Sequence, residues 1–546
     1  MPSSYSFDVV SEFDQQELVN AIDQLRREVD QRYDLKDSKT KIDIKEDELS
    51  IVSLSDMTIE SVKDILLQKA TKRNLSLKIF DFQKIETIGG NMVMQIVKLK
   101  KGLSQEISKK YKVYAYEKNP AINNDLKKNK VKDLFLTETL NELLNKVISP
   151  RIIMLSLPAD KVDEVINELT NFLEPEDIVA DLGNSLYLKS MERNTLLNSH
   201  KINFLGVGVS GGPRGAKNGP AIMVGGSKEA WNKTKQIFED IAAKNHNQSA
   251  CCFFGSAGSG HFVKLVHNGI EYALMEGIAE VTNILDKVYN LNNNEIAKKF
   301  KDLLETNSSS FLLRITSEII NAKNENDQYF IDEVDPVIGQ NGTGVWTIKA
   351  ALDLGVGIPS IYEAVSTRSN SKNFKFNFEQ NFNNKKYIPN DKYNEISIEQ
   401  IIFFNFACSI YQGLNLINES NKWDFFNFKI EDIFKAWSAG CILQGRYLDI
   451  ISKEFSKRKK IDPQYLHDLI KRNCSDQLKS IREFNSIAIK MGITCPVLSS
   501  NLAYYDQMFS NHIIGETIQL QRSFFGLHQI KDKEGKNKIN PYWTKL

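Results

Sequence analysis

The chain has 546 residues, 41% of them hydrophobic and 25% charged, with a formal net charge of +1. That length is too great for one hydrophobic core and predicts three or four domains of ordinary globular composition. The balanced charge excludes a global field for nucleic acid or a membrane surface, and no run of 18 apolar residues suggests a membrane span.

The first residues, Met1-Pro-Ser-Ser-Tyr-Ser-Phe-Asp8, lack the basic end and apolar centre of a secretory signal. Residues 6–10 alternate like a strand, and Asp14 with Glu17 three residues on predicts a helix start. Leu18, Ile22, Leu25 and Val29 give that helix one apolar stripe. Residues 41–44 and 49–52 predict a hairpin, 59–73 a second helix and 92–97 a last strand, together a small α+β sandwich. From 111 the rhythm changes. A short strand at 112–116 and apolar runs at 151–157 and 177–181 alternate with helical segments, the pattern of a parallel α/β sheet.

From about residue 256 the chain reads as long, Phe-rich helices, with residues 401–410 as a buried one. Residues 370–395 predict an exposed loop, Lys457-Arg-Lys-Lys460 a helix end facing its dipole, and the chain beyond Gly526 an irregular tail. The expected domains are therefore 1–110, 111–250, 251–510 and a tail at 511–546. Six cysteines with no paired C-x-x-C motif read as reduced core thiols of a cytoplasmic protein, and no metal is expected.

One stretch carries the chemistry. Read as a helix, Gly258 to Tyr272 sets Lys264, His267, Asn268 and Glu271 at i, i+3, i+4 and i+7, a single stripe. Phe262, Val263, Val266, Ile270 and Met275 take the other faces. A lysine, a histidine, an amide and a carboxylate aimed at one place can move protons on a polar substrate. Taken alone, the stripe also reads as the wet face of an amphipathic helix. Val209-Ser210-Gly211-Gly212 follows a strand, and Gly219 to Gly226 comes soon after; glycines there let backbone N–H groups approach a ligand. Asp181-Leu-Gly-Asn184-Ser185 ends another strand, where open parallel sheets face their ligands. Asn341-Gly-Thr343-Gly, Glu363-Ala-Val-Ser-Thr-Arg368 and Arg522-Ser-Phe-Phe-Gly-Leu-His528 complete the set. Either arginine alone reads as an ordinary surface residue.

In this order, from about residue 111 to Trp543, these motifs resemble the 6-phosphogluconate dehydrogenase family. The resemblance implies an incomplete Rossmann-type cofactor sheet before a large helical domain. It implies oxidative decarboxylation of 6-phosphogluconate to ribulose 5-phosphate in the pentose phosphate pathway, with NADP. It assigns Lys264 as the base for the C3 hydroxyl and Glu271 as the acid that protonates C1 of the enediol. Asn184, Ser210, Gly211, Gly212, His267 and Asn268 would hold the sugar acid, and Tyr272, Thr343, Arg368 and Arg522 its phosphate. His528 would arrive with Arg522 from a second subunit, which implies a homodimer with exchanged tails.

Residues 1–110 resemble the YajQ family of nucleotide-binding proteins, through Ser6 to Glu12, Gln16 to Asp23 and Arg32-Tyr-Asp-Leu35. They imply an incomplete ferredoxin-like fragment. Three departures bear on activity. Asn341 stands where many relatives have lysine. Glu117-Lys118-Asn119 replaces the family's Asn-Arg-Thr; with Asn184 these are the cofactor-binding candidates, and an acid there also suits NAD. The strand, glycine-rich turn and helix that open the family's cofactor domain are missing. The expectation is an enzyme impaired in cofactor binding; the alternative is a non-catalytic chimera that binds sugar phosphate or nucleotide.

Overall fold

The computed structural model describes residues 15–45, 48–73, 80–89, 92–99, 111–129, 134–246, 248–373, 396–455, 463–509 and 514–545. The expected strand at 6–10, the Asp14 cap, most of the 370–395 loop and the basic run at 457–460 lie outside them. The chain divides into two compact units, residues 1–265 with 423–444, and residues 266–422 with 445–546.

The first unit opens with helix α1 (Gln15–Gln31), strands β1 (Lys41–Lys45) and β2 (Glu48–Ser53), helix α2 (Asp56–Lys72), and strands β3 (Phe80–Ile88) and β4 (Met92–Leu99). The four strands form one antiparallel sheet in the order β1-β2-β4-β3. Leu18, Ile22, Leu25 and Val29 are buried as the stripe requires, against Ile51, Ile59 and Val97. Each such side chain contributes roughly 1.5–3 kcal/mol. Helix α2 begins earlier than the periodicity indicates, because Ser55 and Thr58 form a capping box at its N-terminus. β3 was not among the sequence expectations. Its inward face is only partly buried, so its alternation is weak.

The cofactor-type region follows: β5 (Val113–Tyr116), α3 (Pro120–Asn129), β6 (Leu134–Thr137), α4 (Leu140–Lys146), β7 (Ile152–Leu155), α5 (Val162–Leu169), β8 (Ile178–Asp181), α6 (Tyr187–Ser199), β9 (Asn203–Ser210), α7 (Gly212–Asn218), β10 (Ala221–Gly226), α8 (Lys228–Ile241), and the short β11 (Lys244–Asn245), β12 (Gln248–Ser249) and β13 (Cys251–Phe253). Five strands pair in the order β13-β10-β9-β8-β7. β7, β8 and β9 are parallel and β10 runs antiparallel to β9. Helices cover both faces, with separate apolar clusters on each side. β5 and β6 make their own two-stranded parallel ladder.

That separation is informative. A doubly wound sheet of 3-2-1-4-5-6 order seats its first strand between the second and the fourth. Here β5 and β6 stand as second and third and β7 as fourth, and no described residue provides the strand between β5 and β7. β4, next upstream, is hydrogen-bonded on both sides within its own antiparallel sheet.

Helix α9 (Ser259–Lys287) leads from this unit into the second. The second unit holds α10 (Asn293–Asp302), α11 (Phe311–Ile320), α12 (Phe330–Glu333), α13 (Thr343–Leu354), α14 (Pro359–Asn370) and α15 (Ile398–Ser420). Helix α16 (Ile430–Trp437) belongs to the first unit. Helices α17 (Arg446–Phe455), α18 (Pro463–Cys474), α19 (Leu478–Met491), α20 (Pro496–Phe509) and α21 (Ile514–Gly526) return to the second. α15 is long and apolar enough to cross a membrane, but 89% of its apolar window is buried, so it is a core helix. All six cysteines are buried, and none is in a disulfide. Beyond Gly526 the tail is more regular than its composition suggests: Ile530–Lys531 and Lys538–Ile539 pair as a small hairpin.

Candidate active site

β9 delivers Ser210 at its C-terminal end, and the chain turns there through Gly211 at φ 125°. Only glycine adopts that backbone cheaply, and a Cβ on Gly211 would meet the Gly440 carbonyl at 2.6 Å. Ser210 is buried, and Gly212 is exposed at the start of α7. Two residues back, a Cβ on Gly208 would lie 2.5 Å from the Lys264 Cβ. The absence of a side chain at Gly208 thus lets α9 lie against the strand. Strand periodicity puts Ser210 on the same face as Gly208, so Lys264, itself 7% exposed, lies over the Ser210 end of β9. In β10, Gly225 works the same way. A Cβ on Gly225 would strike Ser259 Oγ at 2.3 Å and the Gly260 nitrogen at 2.7 Å.

Along α9, Lys264, His267, Asn268 and Glu271 share the stripe that their spacing requires. His267 and Asn268 are buried, and Glu271 is half-buried. His267 Nδ1 lies 3.3 Å from Asn268 Oδ1 and 3.8 Å from Glu271 Oε2. Phe262, Val263, Val266 and Ile270 are buried as expected. Met275 is not: it is 39% exposed, and its sulfur receives Arg368 Nη2 at 3.5 Å.

Tyr272 begins a second cluster. The Arg368 guanidinium lies 3.4 Å from the Tyr272 ring centroid, a stacked cation–π pair. The Tyr272 hydroxyl is 3.4 Å from Asn341 Oδ1, which also accepts Thr343 Oγ1 at 2.8 Å. Gly344 Cβ would fall 2.9 Å from the tyrosine ring, so glycine there lets α13 lie close. A guanidinium, two hydroxyls and an amide are gathered at the N-terminus of α13, with Gly342 before it at φ 86°. Helix N-termini and arginine both favour anions.

Asn184 is exposed, on a turn that the buried Asp181 organises. Asp181 accepts Gly183 N at 3.0 Å, Ser185 Oγ at 2.6 Å and Arg193 Nη1 at 2.8 Å. His261, one turn before Lys264, meets Ser190 Oγ at 2.6 Å, and burial holds its ring below the usual histidine range, hence neutral. Sequence reasoning passed over Arg193 and His261, because a buried network joins residues far apart in the chain.

It also passed over Glu276 and Glu280, which were findable: 264, 268, 272, 276 and 280 follow one another at four-residue steps. Glu280 accepts the Val497 and Leu498 N–H groups at 2.7 and 2.9 Å, capping α20. Burial nonetheless raises its carboxyl to about 8.

Among the described residues, Arg522 and His528 join neither cluster. Both are exposed, and Arg522 bonds Gln519 in its own helix at 3.0 Å. Glu117 is half-buried and accepts Asn119 N at 2.6 Å, just before α3, and Lys118 is exposed.

The sequence profile of the 6-phosphogluconate dehydrogenase C-terminal domain matches residues 260–543, and that of the family's NAD-binding domain matches 90–255. A third, described as nucleotide-binding protein YajQ-like, matches 5–134. The last two overlap over 90–134, where the sequence changes character. A decarboxylating 6-phosphogluconate dehydrogenase of Lactococcus lactis is 34% identical over 444 residues, 78% of this chain and 93% of the relative. That of Caenorhabditis elegans is 34% identical over 428 residues, 77% and 88% of the two chains. A Plasmodium falciparum 6-phosphogluconate dehydrogenase, solved in its apo form, with its cofactor NADP+ and with its substrate 6-phosphogluconate, superposes with a TM-score of 0.72. It is 29% identical and covers 81% of this chain and 97% of its own.

Proposed function

The chain belongs to the decarboxylating 6-phosphogluconate dehydrogenase family, and from that premise we propose that it converts 6-phosphogluconate to ribulose 5-phosphate and carbon dioxide in the cytoplasm. The observation that carries this is the α9 stripe, with Lys264 seated over the Ser210 end of β9. In this reading Lys264 takes the proton from the C3 hydroxyl. Glu271, held near His267, returns one to C1 after carbon dioxide leaves. Ser210, Gly211, Gly212, Asn184, His267 and Asn268 bind the sugar acid. Tyr272, Thr343 and Arg368 bind the phosphate, where Asn341 brings an amide in place of a charge.

NADP, when bound, accepts the hydride. The residues present suit only part of it. Asn184 is free to reach a nicotinamide-side ligand, but no described strand, glycine turn and helix precede β5 to receive the pyrophosphate. The Glu117 carboxylate is engaged by Asn119 N, which leaves Lys118 to meet a ribose phosphate. Turnover is accordingly weak in NADP, and NAD serves no better at the missing turn. A non-catalytic binder of sugar phosphate is the second reading, favoured by the same gap.

The chain also pairs with a second copy. α21 exposes Ile514, Ile518, Phe524 and Phe525, the last 95% exposed. Such a run of apolar surface fits a tail covered by a partner, bringing Arg522 and His528 to its phosphate. Calorimetry with 6-phosphogluconate, followed by an assay for NADPH formation, tests the reading. Binding with slow turnover supports the enzyme, binding with none supports the non-catalytic chimera, and no binding refutes both. Light scattering at micromolar concentration should give the mass of a dimer.

A further inference from the structure

The first turn of α9 is pressed onto the sheet of the first unit. A Cβ on Gly206 of β9 would lie 3.0 Å from His261 Nδ1, and one on Gly208 would lie 2.5 Å from the Lys264 Cβ. A Cβ on Gly260, in α9 itself, would meet the Gly206 carbonyl at 2.5 Å. These glycines set how closely the helix approaches. Close approach alone does not fix how the helix is rotated about its axis, and Lys264 carries its nitrogen on a long flexible stem.

Helix α6 supplies that constraint. Ser190 Oγ lies 2.6 Å from His261 Nδ1, and both side chains are buried. Tyr187, one turn earlier, packs edge-on against Phe262 at 5.2 Å, and its carbonyl would lie 2.7 Å from a Cβ on Gly258. Arg193, one turn later, anchors α6 to the end of β8: its Nη1 donates to Asp181 Oδ2 and Ser185 Oγ, both at 2.8 Å. Ser190 therefore stands between a packed contact toward α9 and an ion pair toward β8. All of these residues belong to the first unit.

Neither Ser190 nor His261 has a part in the chemistry proposed above. An apolar pair would also pack α6 on α9, but it would lack the directionality of a hydrogen bond. We propose that Ser190 and His261 are positioning residues for Lys264: their hydrogen bond fixes the rotation of the first turn of α9, so that the lysine nitrogen is held at the Ser210 end of β9. His261 precedes Lys264 by about one turn, so a rotation released at His261 swings the lysine stem directly. This inference rests on the reading of Lys264 as the base.

The test reads Lys264 without cofactor. The full chain is treated with limiting trinitrobenzenesulfonate, an amine reagent, and labelling at each lysine is followed by peptide mass spectrometry. Lys264 is 7% exposed and should react slowly in the native chain, and more slowly still with 6-phosphogluconate. Ser190→Ala removes the hydroxyl that meets His261 and should speed labelling at Lys264 several-fold. Lys69, paired with Glu28 between α1 and α2, reports general loosening and should keep its native rate. Ser190→Thr retains the hydroxyl and should restore slow labelling at Lys264. In the assay for NADPH formation, Ser190→Ala should lower kcat by about 10–100-fold, the effect of misplacing a reacting group, with KM for 6-phosphogluconate close to native.

Native-rate labelling of Lys264 in Ser190→Ala, with 6-phosphogluconate still protecting it, would overturn the inference and leave the substrate reading intact. A threonine variant as reactive as the alanine one, or labelling of Lys69 that rises with Lys264, would reduce the pair to general packing and also overturn it. Failure of 6-phosphogluconate to protect Lys264 in any of the three proteins would overturn the substrate reading, and with it the base that these residues position.

Discussion

The cluster proposed to hold the phosphate and the region proposed to hold the dinucleotide differ in completeness among the described residues. Around Tyr272 every group has a neighbour that sets it: Arg368 on the ring, Asn341 on the hydroxyl, Thr343 on Asn341. At β5 the first strand of the expected order is missing among the described residues, and the β5–β6 ladder stands apart from the main sheet. The lesson is about locality. The Tyr272 cluster is built from three neighbouring helices of one unit, and its contacts are local to them. A parallel sheet has no such locality, because each strand completes the hydrogen bonding of the next.

The sharpest test of the contrast is Lys264→Met. It should lower turnover by roughly 10²–10⁴-fold, the worth of general base catalysis, in a steady-state assay at saturating substrate; an unchanged rate would remove Lys264 from the chemistry. Replacing residues 1–110 with a strand, G-x-G-x-x-G turn and helix should tighten NADPH at least about 100-fold, equivalent to about 2.7 kcal/mol. A native chain that already binds NADPH at low micromolar concentration would erase the asymmetry. Arg368→Met should weaken 6-phosphogluconate by about 1.5–3 kcal/mol, the usual loss for a charged hydrogen bond. If calorimetry finds no loss, the phosphate lies elsewhere.

The smallest expected effect is on stability. Glu280 is raised to about 8 by burial, so the folded chain holds that proton more tightly than the unfolded one. Its contribution is full below the ordinary glutamate range near 4.3 and is lost as pH rises through about 8. The melting temperature should decline across that window, and Glu280→Gln should flatten the decline. A native chain most stable at pH 8 would show that the two N–H groups of α20 outweigh burial.

Much of this was legible beforehand because it depends on spacing alone. Period-3.6 stripes located α1 and α9, and alternation located the β1–β2 hairpin and β4. The four-residue ladder past Glu271 was equally readable, but Glu276 and Glu280 sit on a helix whose other faces are apolar, and nothing in one sequence says which carboxyl is buried. The glycines of β10 carried an ambiguous signal. The same residues that open a backbone to a ligand also let a helix lie against a strand, and only the Ser259 and Gly260 contacts decide between the two.

By itself the sequence determined the family and the helical stripe of Lys264, His267, Asn268 and Glu271. Each of these is a property of residues near one another along the chain. The tertiary structure alone decided what is contributed from far away: Arg368 over Tyr272, the α20 N–H groups on Glu280, Ser190 against His261, and β4 committed to an antiparallel sheet. The physical reason is that periodicity governs which face a side chain takes, whereas charge pairing, desolvation and strand registry depend on which distant segment arrives to meet that face.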